Sequence, residues 1–286
     1  MFVQTAKGKY KNVAMFLYCH QRNVKERKNT MNKSLSRLCI LFCFAVLLCV
    51  NASASGFSWY FKPRNDGKRP ELCPEADFVD KYDAVTIGDE NAKKIYLTFD
   101  AGYENGNVEK ILDVMKANDV KGTFFVLPRI IEHNTDLCKR MKEEGHLVGN
   151  HSVHHKNMGM VSDIETFRKE TQPLDDFFIE KTGYSMDKFF RPPEGAFSEN
   201  TLKFAEELGY TTVFWSLAYA DWDNNNQMNP DKALELLLKR THNGCVLLLH
   251  PTGETNAKIL DSYIKTMKER GYEFCLVDEI GKSTNG

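Results

Sequence analysis

Five ionisable side chains come at or just after short apolar runs of this sequence: Asp100, His151, Arg191, Asp221 and His250. Short apolar runs bounded by polar residues are typical of buried strands. In α/β folds the carboxyl ends of parallel strands converge, and sites are built from the loops that follow them. We therefore expect these five side chains to share one site.

Each of these residues also has an ordinary structural explanation. Asp100 could cap the turn after its strand, Arg191 could form a surface ion pair, and His250 could be a satisfied core histidine. Pro192 and Pro193 stiffen the backbone after Arg191, which suits a guanidinium held against a carboxylate. It is the joint placement at strand ends that favours a catalytic role.

Two histidines have a spacing that suits a shared cation. His151 and His155 are four residues apart, so on one helical turn both imidazoles would face the same way. A structural zinc usually has four protein ligands, and a lone pair of this kind is also found on ordinary surfaces. His154 would point elsewhere. The spacing of His151 and His155 therefore leaves open whether they bind a metal ion or lie on an ordinary surface.

Short apolar or β-branched runs predict seven strands. These are residues 95–100, 122–127, 147–151, 189–193, 211–216, 246–250 and 275–279. Helical periodicity lies between them, at residues 107–118, 135–144, 164–181, 199–208, 231–240 and 257–270. The alternation predicts one α/β domain with parallel strands and crossover helices, either as a barrel one unit short of eight or as an open doubly wound sheet.

The amino-terminal part divides into a leader and an arm. Residues 34–54 combine Arg37, 13 mostly apolar residues at 38–50 and an Ala-x-Ala site, which predicts a signal peptide, with Met31 as the start. A membrane anchor would need about 20 apolar residues. We expect a leader at 1–54, an extended arm at 55–92, the main domain at 93–286, and a secreted protein.

The composition and charge of the chain limit its class of protein and the partners that it can bind. The chain is 42% hydrophobic and 27% charged, which excludes disordered and multi-pass membrane classes. Residues 1–54 hold nine of the 38 basic residues and one acid, so the remainder carries a net charge of −9 and is a poor candidate for nucleic-acid binding. We expect a monomer.

The exported part keeps four scattered cysteines, at Cys73, Cys138, Cys245 and Cys275. Their spacing is neither a disulfide framework nor a zinc site. We expect Cys138 and Cys245 to pack in the core. The sequence leaves open whether one disulfide forms among the four cysteines.

Five motifs carry a family resemblance. They are Thr98-Phe99-Asp100-Ala101-Gly102, His151-Ser152-Val153-His154-His155, Arg191-Pro192-Pro193-Glu194-Gly195, Asp221-Trp222 and Leu248-Leu249-His250. In order, they resemble the motifs of NodB-type polysaccharide deacetylases, carbohydrate esterase family 4. The resemblance spans about residues 90–280 and implies a deformed (β/α)7 barrel that hydrolyses N-acetyl groups on amino sugars in a polymer.

Within the family, the chain most resembles the muramic-δ-lactam-forming peptidoglycan deacetylases of spore-forming bacteria. These act on N-acetylmuramic acid in spore cortex, which makes peptidoglycan glycan strands the expected partner. The alternatives are an N-acetylglucosamine deacetylase of peptidoglycan or chitin, and a wall-binding module that has lost catalysis. Retention of Asp100, Arg191, Asp221 and His250 argues against the second alternative.

Amide hydrolysis needs a base to activate water and an acid for the leaving nitrogen, and the sequence offers candidates for both. Asp100 would be the general base oriented by Arg191, and His250 the general acid paired with Asp221. Residues expected to contact substrate are Tyr103, Glu104, Asn105, Tyr219 and Trp222.

One departure from the family pattern affects the metal site. The usual second aspartate of the first motif, a metal ligand together with the two histidines, is Ala101 here. A methyl group binds no metal, so a zinc-like ion on His151 and His155 would need water or Asp100 as a further ligand. The lactam-forming type commonly lacks this aspartate as well.

Overall fold

A computed structural model describes residues 56–281, whose centre is a curled sheet of eight strands that pair in parallel. In chain order the strands of the molecule are β1 (Phe57–Ser58), β2 (Phe61–Lys62), β3 (Glu71–Leu72), β4 (Ala84–Val85), β5 (Lys94–Ala101), β6 (Thr123–Val126), β7 (Leu147–Asn150), β8 (Phe189–Phe190), β9 (Ala196–Phe197), β10 (Thr211–Val213), β11 (Cys245–Leu249) and β12 (Glu273–Cys275).

The sheet runs β11-β5-β6-β7-β8-β10-β4, and β12 pairs with the first residues of β5. A parallel bridge between Leu217 and Leu247 joins the segment after β10 back to β11. The sheet therefore curls into a deformed barrel, and the prediction of a parallel α/β domain of this kind is confirmed.

Eight helices connect or flank the strands. They are α1 (Ala76–Val79), α2 (Val108–Ala117), α3 (Pro128–His133), α4 (Thr135–Glu143), α5 (Ile164–Thr182), α6 (Glu199–Glu207), α7 (Pro230–Arg240) and α8 (Glu254–Glu269). All six predicted helices are present, because their apolar residues recur on one face and bury against the sheet. The sequence analysis missed two short helices, α1 and α3, of which α3 begins with a proline directly after β6.

Helix boundaries follow from their terminal residues. Asp163 caps α5 by accepting a hydrogen bond from the Thr166 amide at 2.8 Å, and the helix ends at Gly183, whose φ is 80°. Ser198 and Thr201 form a reciprocal capping box at the start of α6. These caps fix where the chain leaves the sheet and where it returns.

Three predicted strands differ in extent from the observed ones, and one of them is the strand predicted at 211–216, where β10 ends at Val213. The strand predicted at 189–193 ends at Phe190, since Pro192 and Pro193 cannot donate to a strand ladder. The last predicted strand, 275–279, is displaced: β12 ends at Cys275, and Val277–Glu279 forms a 3₁₀ turn. The Glu279 carboxylate accepts from the Leu276 amide at 3.1 Å, which stabilises that turn instead of a strand.

The segment predicted as an arm lies against the sheet through aromatic contacts. β1 pairs antiparallel with β9, and the buried Trp59 ring stacks on Phe214 at 4.4 Å between centroids. The Trp59 indole donates to the Trp215 carbonyl at 2.8 Å, and the Trp59 backbone amide donates to the Gly195 carbonyl. The arm thus supports the loop that follows Arg191.

All four cysteines of the described part are buried, with free thiols. Burial raises the pKa of the Cys138 and Cys245 thiols to about 12, so both behave as small core hydrophobes, as expected. Within residues 56–281, no helix is long and apolar enough to span a lipid bilayer. The predicted signal peptide lies outside the described residues.

Candidate active site

A cleft of about 680 Å³ opens at the carboxyl ends of the central strands. Its walls are formed by Asp100, His151, His155, Glu194, Trp215, Ala218, Tyr219, Trp222, Leu248 and His250. In-register pairing places the ends of β5, β6 and β7 side by side, which brings the loops after them to the same edge. Arg191 and Asp221 lie directly behind this wall, so all six residues on which the sequence argument rests meet at one place.

Asp100 is held by a completely buried arginine. One Asp100 carboxylate oxygen accepts from the Arg191 Nη1 at 2.9 Å. The Nε and Nη2 groups of Arg191 donate to the Thr98 hydroxyl at 2.8 Å and to the carbonyls of Val213 and Phe214. The guanidinium also lies 4.2 Å from the centre of the Phe125 ring. The second carboxylate oxygen lies 3.6 Å from His151 Nε2, at the wall of the cleft that Asp100 helps to form.

The electrostatics of the site keep Asp100 ionised. Burial raises the pKa of the Asp100 carboxyl, but the charge and hydrogen bond of Arg191 outweigh that effect, with further help from His151 and His250. The net result is a pKa below the ordinary value of 3.8. The carboxylate is therefore available as a proton acceptor at neutral pH.

His250 is bound to a buried carboxylate. Its ring Nδ1–H donates to one oxygen of Asp221 at 2.7 Å, and its backbone amide donates to the other at 2.8 Å. Burial lowers the pKa of His250, but the hydrogen bond to Asp221 and the charge of Asp221 outweigh it, so the pKa lies above 6.5. Asp221 thus favours the protonated form of His250, whose ring lines the cleft.

Asn256, near the start of α8, completes this pair and was missed by the sequence analysis. Its side-chain amide donates to Asp221 at 2.6 Å and to the His250 carbonyl at 3.0 Å, while its oxygen accepts from the Tyr219 hydroxyl. The side chain is completely buried. Asn256 consequently fixes the orientation of both Asp221 and His250.

His151 and His155 are neighbours, but not for the reason that the spacing suggested. The loop after β7 is not helical, and Ser152 and His155 have positive φ values of 69° and 51°. This backbone brings the two imidazole centroids to 5.2 Å. The helical-turn argument was therefore wrong about the local structure, although the two rings do lie together.

His151 is neutral in this environment. Its Nδ1–H donates to the Arg191 carbonyl at 2.8 Å, and Nε2 lies 3.6 Å from Asp100. Burial lowers the pKa of His151 to about 4, despite the opposing charge of Asp100. As expected, His154 lies outside the cleft, and its ring bonds the buried Glu170 at 3.1 Å.

Comparison with known proteins agrees with this geometry. The family model of polysaccharide deacetylases matches residues 87–213. The peptidoglycan-N-acetylmuramic acid deacetylase PdaA of Bacillus subtilis is 38% identical over 250 residues, covering 85% of this chain and 95% of that protein. The chain belongs to the polysaccharide deacetylase family.

Two further matches extend over most of the deacetylase. An uncharacterized 30.6 kDa protein of Geobacillus stearothermophilus is 41% identical over 244 residues, 84% of this chain and 92% of that one. The solved structure of Bacillus subtilis PdaA, described as a family 4 carbohydrate esterase, has a TM-score of 0.75 at 39% identity. It covers 79% of this chain and 97% of that chain.

The deacetylase lacks the donor set that the family pattern uses for a metal. Ala101 is buried in the hydrophobic core, and one Asp100 oxygen is bound to Arg191. The described residues contain no group of three or more histidine, cysteine or acidic side chains placed to hold a metal ion. Asp100 as a third ligand with His151 and His155 therefore does not fit this geometry.

The residues predicted to contact substrate fall into two groups. Tyr219 and Trp222 line the cleft; Tyr219 is nearly buried, whereas 64% of Trp222 is exposed. Tyr103, Glu104 and Asn105 are not among the residues that form its walls.

Local contacts account for Glu104 and Asn105. The Glu104 carboxylate accepts from the amides of Gly106 and Val108 at the start of α2, and the Asn105 side chain donates to the Thr252 carbonyl. The structure thus gives both residues a role in shaping the loop, and a role in substrate contact remains a prediction.

Glu194 is a second residue that the sequence analysis did not assign. It lines the cleft with a φ of 57°, a left-handed conformation uncommon for a residue with a side chain. Three of the four described non-glycine residues with positive φ belong to the loops around the cleft, namely Ser152, His155 and Glu194. Such conformations concentrate at functional sites. The position of Glu194 directly after Pro193 is the sequence signal that could have identified it as a site residue.

Proposed function

We propose that this deacetylase removes the acetyl group from N-acetylmuramic acid in peptidoglycan, after which the free amine closes a muramic δ-lactam. The observation that carries the proposal is the cleft in which Asp100, held by Arg191, and His250, held by Asp221, face one space. The likeness to PdaA over most of both chains supports muramic acid as the sugar.

Hydrolysis begins with the activation of water. Asp100 accepts a proton from a water molecule as its oxygen attacks the acetyl carbonyl carbon. Arg191 holds the carboxylate in place and favours its ionised form before the substrate arrives. The attack gives a tetrahedral carbon that carries a negatively charged oxygen.

The second half of the reaction breaks the amide bond. His250 donates the proton on Nε2 to the sugar nitrogen as the carbon–nitrogen bond cleaves. Asp221 accepts from Nδ1 throughout, so the ring keeps one orientation and the imidazolium is stabilised while it is charged. The products are acetic acid, which ionises to acetate, and the free amino sugar. Asp100 then gives its proton to solvent and His250 takes one up from solvent, so both side chains return to their starting states.

The setting of the reaction is part of the same proposal. A signal peptide at 31–54 would export the protein to the cell-wall or cortex side of the membrane during sporulation. Glycan strands are the partner, nucleic acid is not expected to bind, and the protein acts as a monomer. The aromatic rings of Tyr219 and Trp222 would contact the sugar rings from the wall of the cleft.

The test uses purified protein and peptidoglycan whose stem peptides have been removed. We expect acetate release. After digestion, we expect mass spectrometry to detect muramic lactam or de-N-acetylated muramic acid in the fragments. The same strands incubated without protein measure the background. Glucosamine as the only de-N-acetylated sugar would contradict the choice of muramic acid, and no acetate release would contradict the activity itself.

A further inference from the structure

Arg129 lies in the first turn of α3, the short helix that follows β6. β6 lies between β5 and β7, and its last residue, Val126, pairs with Ala101 on one side and Asn150 on the other. Asp100 and His151 are the immediate chain neighbours of those two partners. Arg129, three residues beyond Val126, therefore leaves the sheet at the same edge as the base and the histidine pair.

A short series of contacts links Arg129 to the wall of the cleft. Its guanidinium lies over the Tyr103 ring, 5.3 Å from the ring centre. The Tyr103 hydroxyl accepts from the Asn224 side chain at 2.6 Å, and Asn224 is two residues from Trp222, which lines the cleft. Arg129, Tyr103 and Asn224 form what we call the rim.

Among the residues that the structure describes, no acidic side chain pairs with the charge of Arg129. Arg129 is exposed and, among residues 56–281, forms neither a salt bridge nor a side-chain hydrogen bond. By contrast, the base Asp100 is already neutralised by Arg191. A guanidinium held on an aromatic ring keeps its donors free for a planar anion such as a carboxylate.

The proposed substrate carries such an anion close to the reacting nitrogen. Muramic acid bears a lactyl ether on the carbon next to the acetamido group, and the two groups are close enough to close a six-membered lactam. When the stem peptide is absent the lactyl group ends in a carboxylate, and when it is present the same carbon is a neutral amide. A cation on the rim distinguishes these two states.

We propose that Arg129 binds the free lactyl carboxylate of muramic acid and so selects glycan strands from which the stem peptide has been removed. The inference rests on the proposed function, because it needs muramic acid in the cleft. It assigns to Arg129 a specificity that neither the base nor the acid provides.

The experiment compares two forms of the same glycan strands. Strands with free lactyl carboxylates are prepared with an amidase, and a portion is converted to the neutral methylamide. The readout is the ratio of kcat/KM for the carboxylate form to that for the methylamide form, with chitin oligomers as a third substrate. The variants are Arg129→Gln and Arg129→Lys, each tested as the purified protein.

Lys181→Gln is a matched control, since it removes another exposed cation that lies over an aromatic ring. Lys181 is 5.2 Å from the Phe177 ring centre, in the last turn of α5. That end of the helix precedes β8, so it lies at the opposite edge of the sheet from the cleft. The control therefore reports any general effect of losing one surface charge.

We expect the wild-type ratio to favour the carboxylate form, and Arg129→Gln to lower it by about tenfold or more. Arg129→Lys should keep part of the preference, and Lys181→Gln should leave the ratio unchanged. A ratio near one in the wild type, or one unaffected by Arg129→Gln, overturns the role of Arg129 while leaving the proposed function intact. Acetate release from chitin oligomers but from neither muramic form overturns the proposed function and this inference with it.

Discussion

The pairing of His250 with Asp221 can be tested by Asp221→Asn, which keeps the size of the side chain and removes its charge. Asp221 is only 1% exposed. One of its oxygens accepts from the His250 backbone amide and from the Asn256 side chain, and the other accepts from His250 Nδ1. The variant therefore changes one buried charge among donors whose positions are set by backbone and helix.

Those donors decide how the substituted side chain would orient. Two of them, the His250 amide and the Asn256 side chain, meet the same oxygen, so the amide oxygen of the introduced asparagine must take that place. Its amide nitrogen then faces His250 Nδ1, which has to become an acceptor. A protonated imidazole would bring two donors together, so the variant favours neutral His250.

The size of the change follows from the strength of the lost interaction. A hydrogen bond to a charged group contributes about 1.5–3 kcal/mol, which corresponds to about one to two pKa units. In the wild type, burial lowers the pKa of His250 and Asp221 more than offsets it. Without the Asp221 carboxylate, burial and the charge of Arg191 lower the pKa of His250, and only the charge of Asp100 still raises it, so we expect this pKa to fall below 6.5.

The assay is acetate release at subsaturating substrate across pH 5–9. Since the acid must be protonated, activity is lost as pH rises through the pKa of His250, and Asp221→Asn should move this alkaline limb to lower pH by about one to two units. Asp223→Asn is the matched control, because Asp223 is exposed in the same loop and its side chain accepts only from the Asn225 amide. An unmoved alkaline limb, in a variant whose circular dichroism matches the wild type, would refute the assignment of His250 as the acid.

Three further predictions concern the base, the histidine pair and the buried histidines. Asp100→Asn should lower kcat by about 10²–10⁴-fold, and it should also lower the melting temperature because the buried Arg191 loses its charged partner. Exposed Asp113→Asn should keep wild-type rates, and a folded, fully active Asp100→Asn would remove the base from the mechanism. Calorimetric titration with Zn²⁺ should show no tight stoichiometric binding, because His151 and His155 are one ligand short of a catalytic zinc site, and tight binding abolished in His155→Ala would contradict this. Burial lowers the pKa of His242 to about 4, so as pH falls this imidazole is protonated in the unfolded chain before it is protonated in the folded one. The stability that neutral His242 contributes above pH 6.5 should therefore be lost toward pH 4, by about 2 kcal/mol at pH 5. His242→Gln should flatten the pH profile of the free energy of urea unfolding across this range.

Sequence reasoning succeeded where a pattern reports burial directly. Apolar runs predicted the central strands, and the polar residues that end them, such as Asp100 and His250, lie together because parallel strands share a carboxyl edge. The two-residue pairings at β4 and β9 were not predicted, since segments this short carry no usable periodicity. Proline at the first position of α3 is a start signal that the analysis did not use.

Other features depend on contacts that no local pattern encodes. Asn256 is one polar residue in the first turns of an amphipathic helix, and only the return of α8 toward β11 places it on Asp221. The proximity of His151 and His155 comes from two left-handed residues in an irregular loop, whereas their spacing suggested a helix. In both cases the tertiary arrangement, rather than the residue type, creates the function.

The buried guanidinium of Arg191 explains why so much of the site is present before any substrate binds. Removing an arginine from water is unfavourable unless its donors are satisfied, and here Asp100, Thr98 and two carbonyls satisfy them while Phe125 covers the guanidinium. The same contacts that make burial tolerable also fix the carboxylate that we propose as the base. A shorter or neutral side chain at 191 would leave Asp100 buried and unpaired, so its pKa would rise and the base would be lost as a charge as well as displaced. Stability and catalysis at this site therefore depend on the same ion pair.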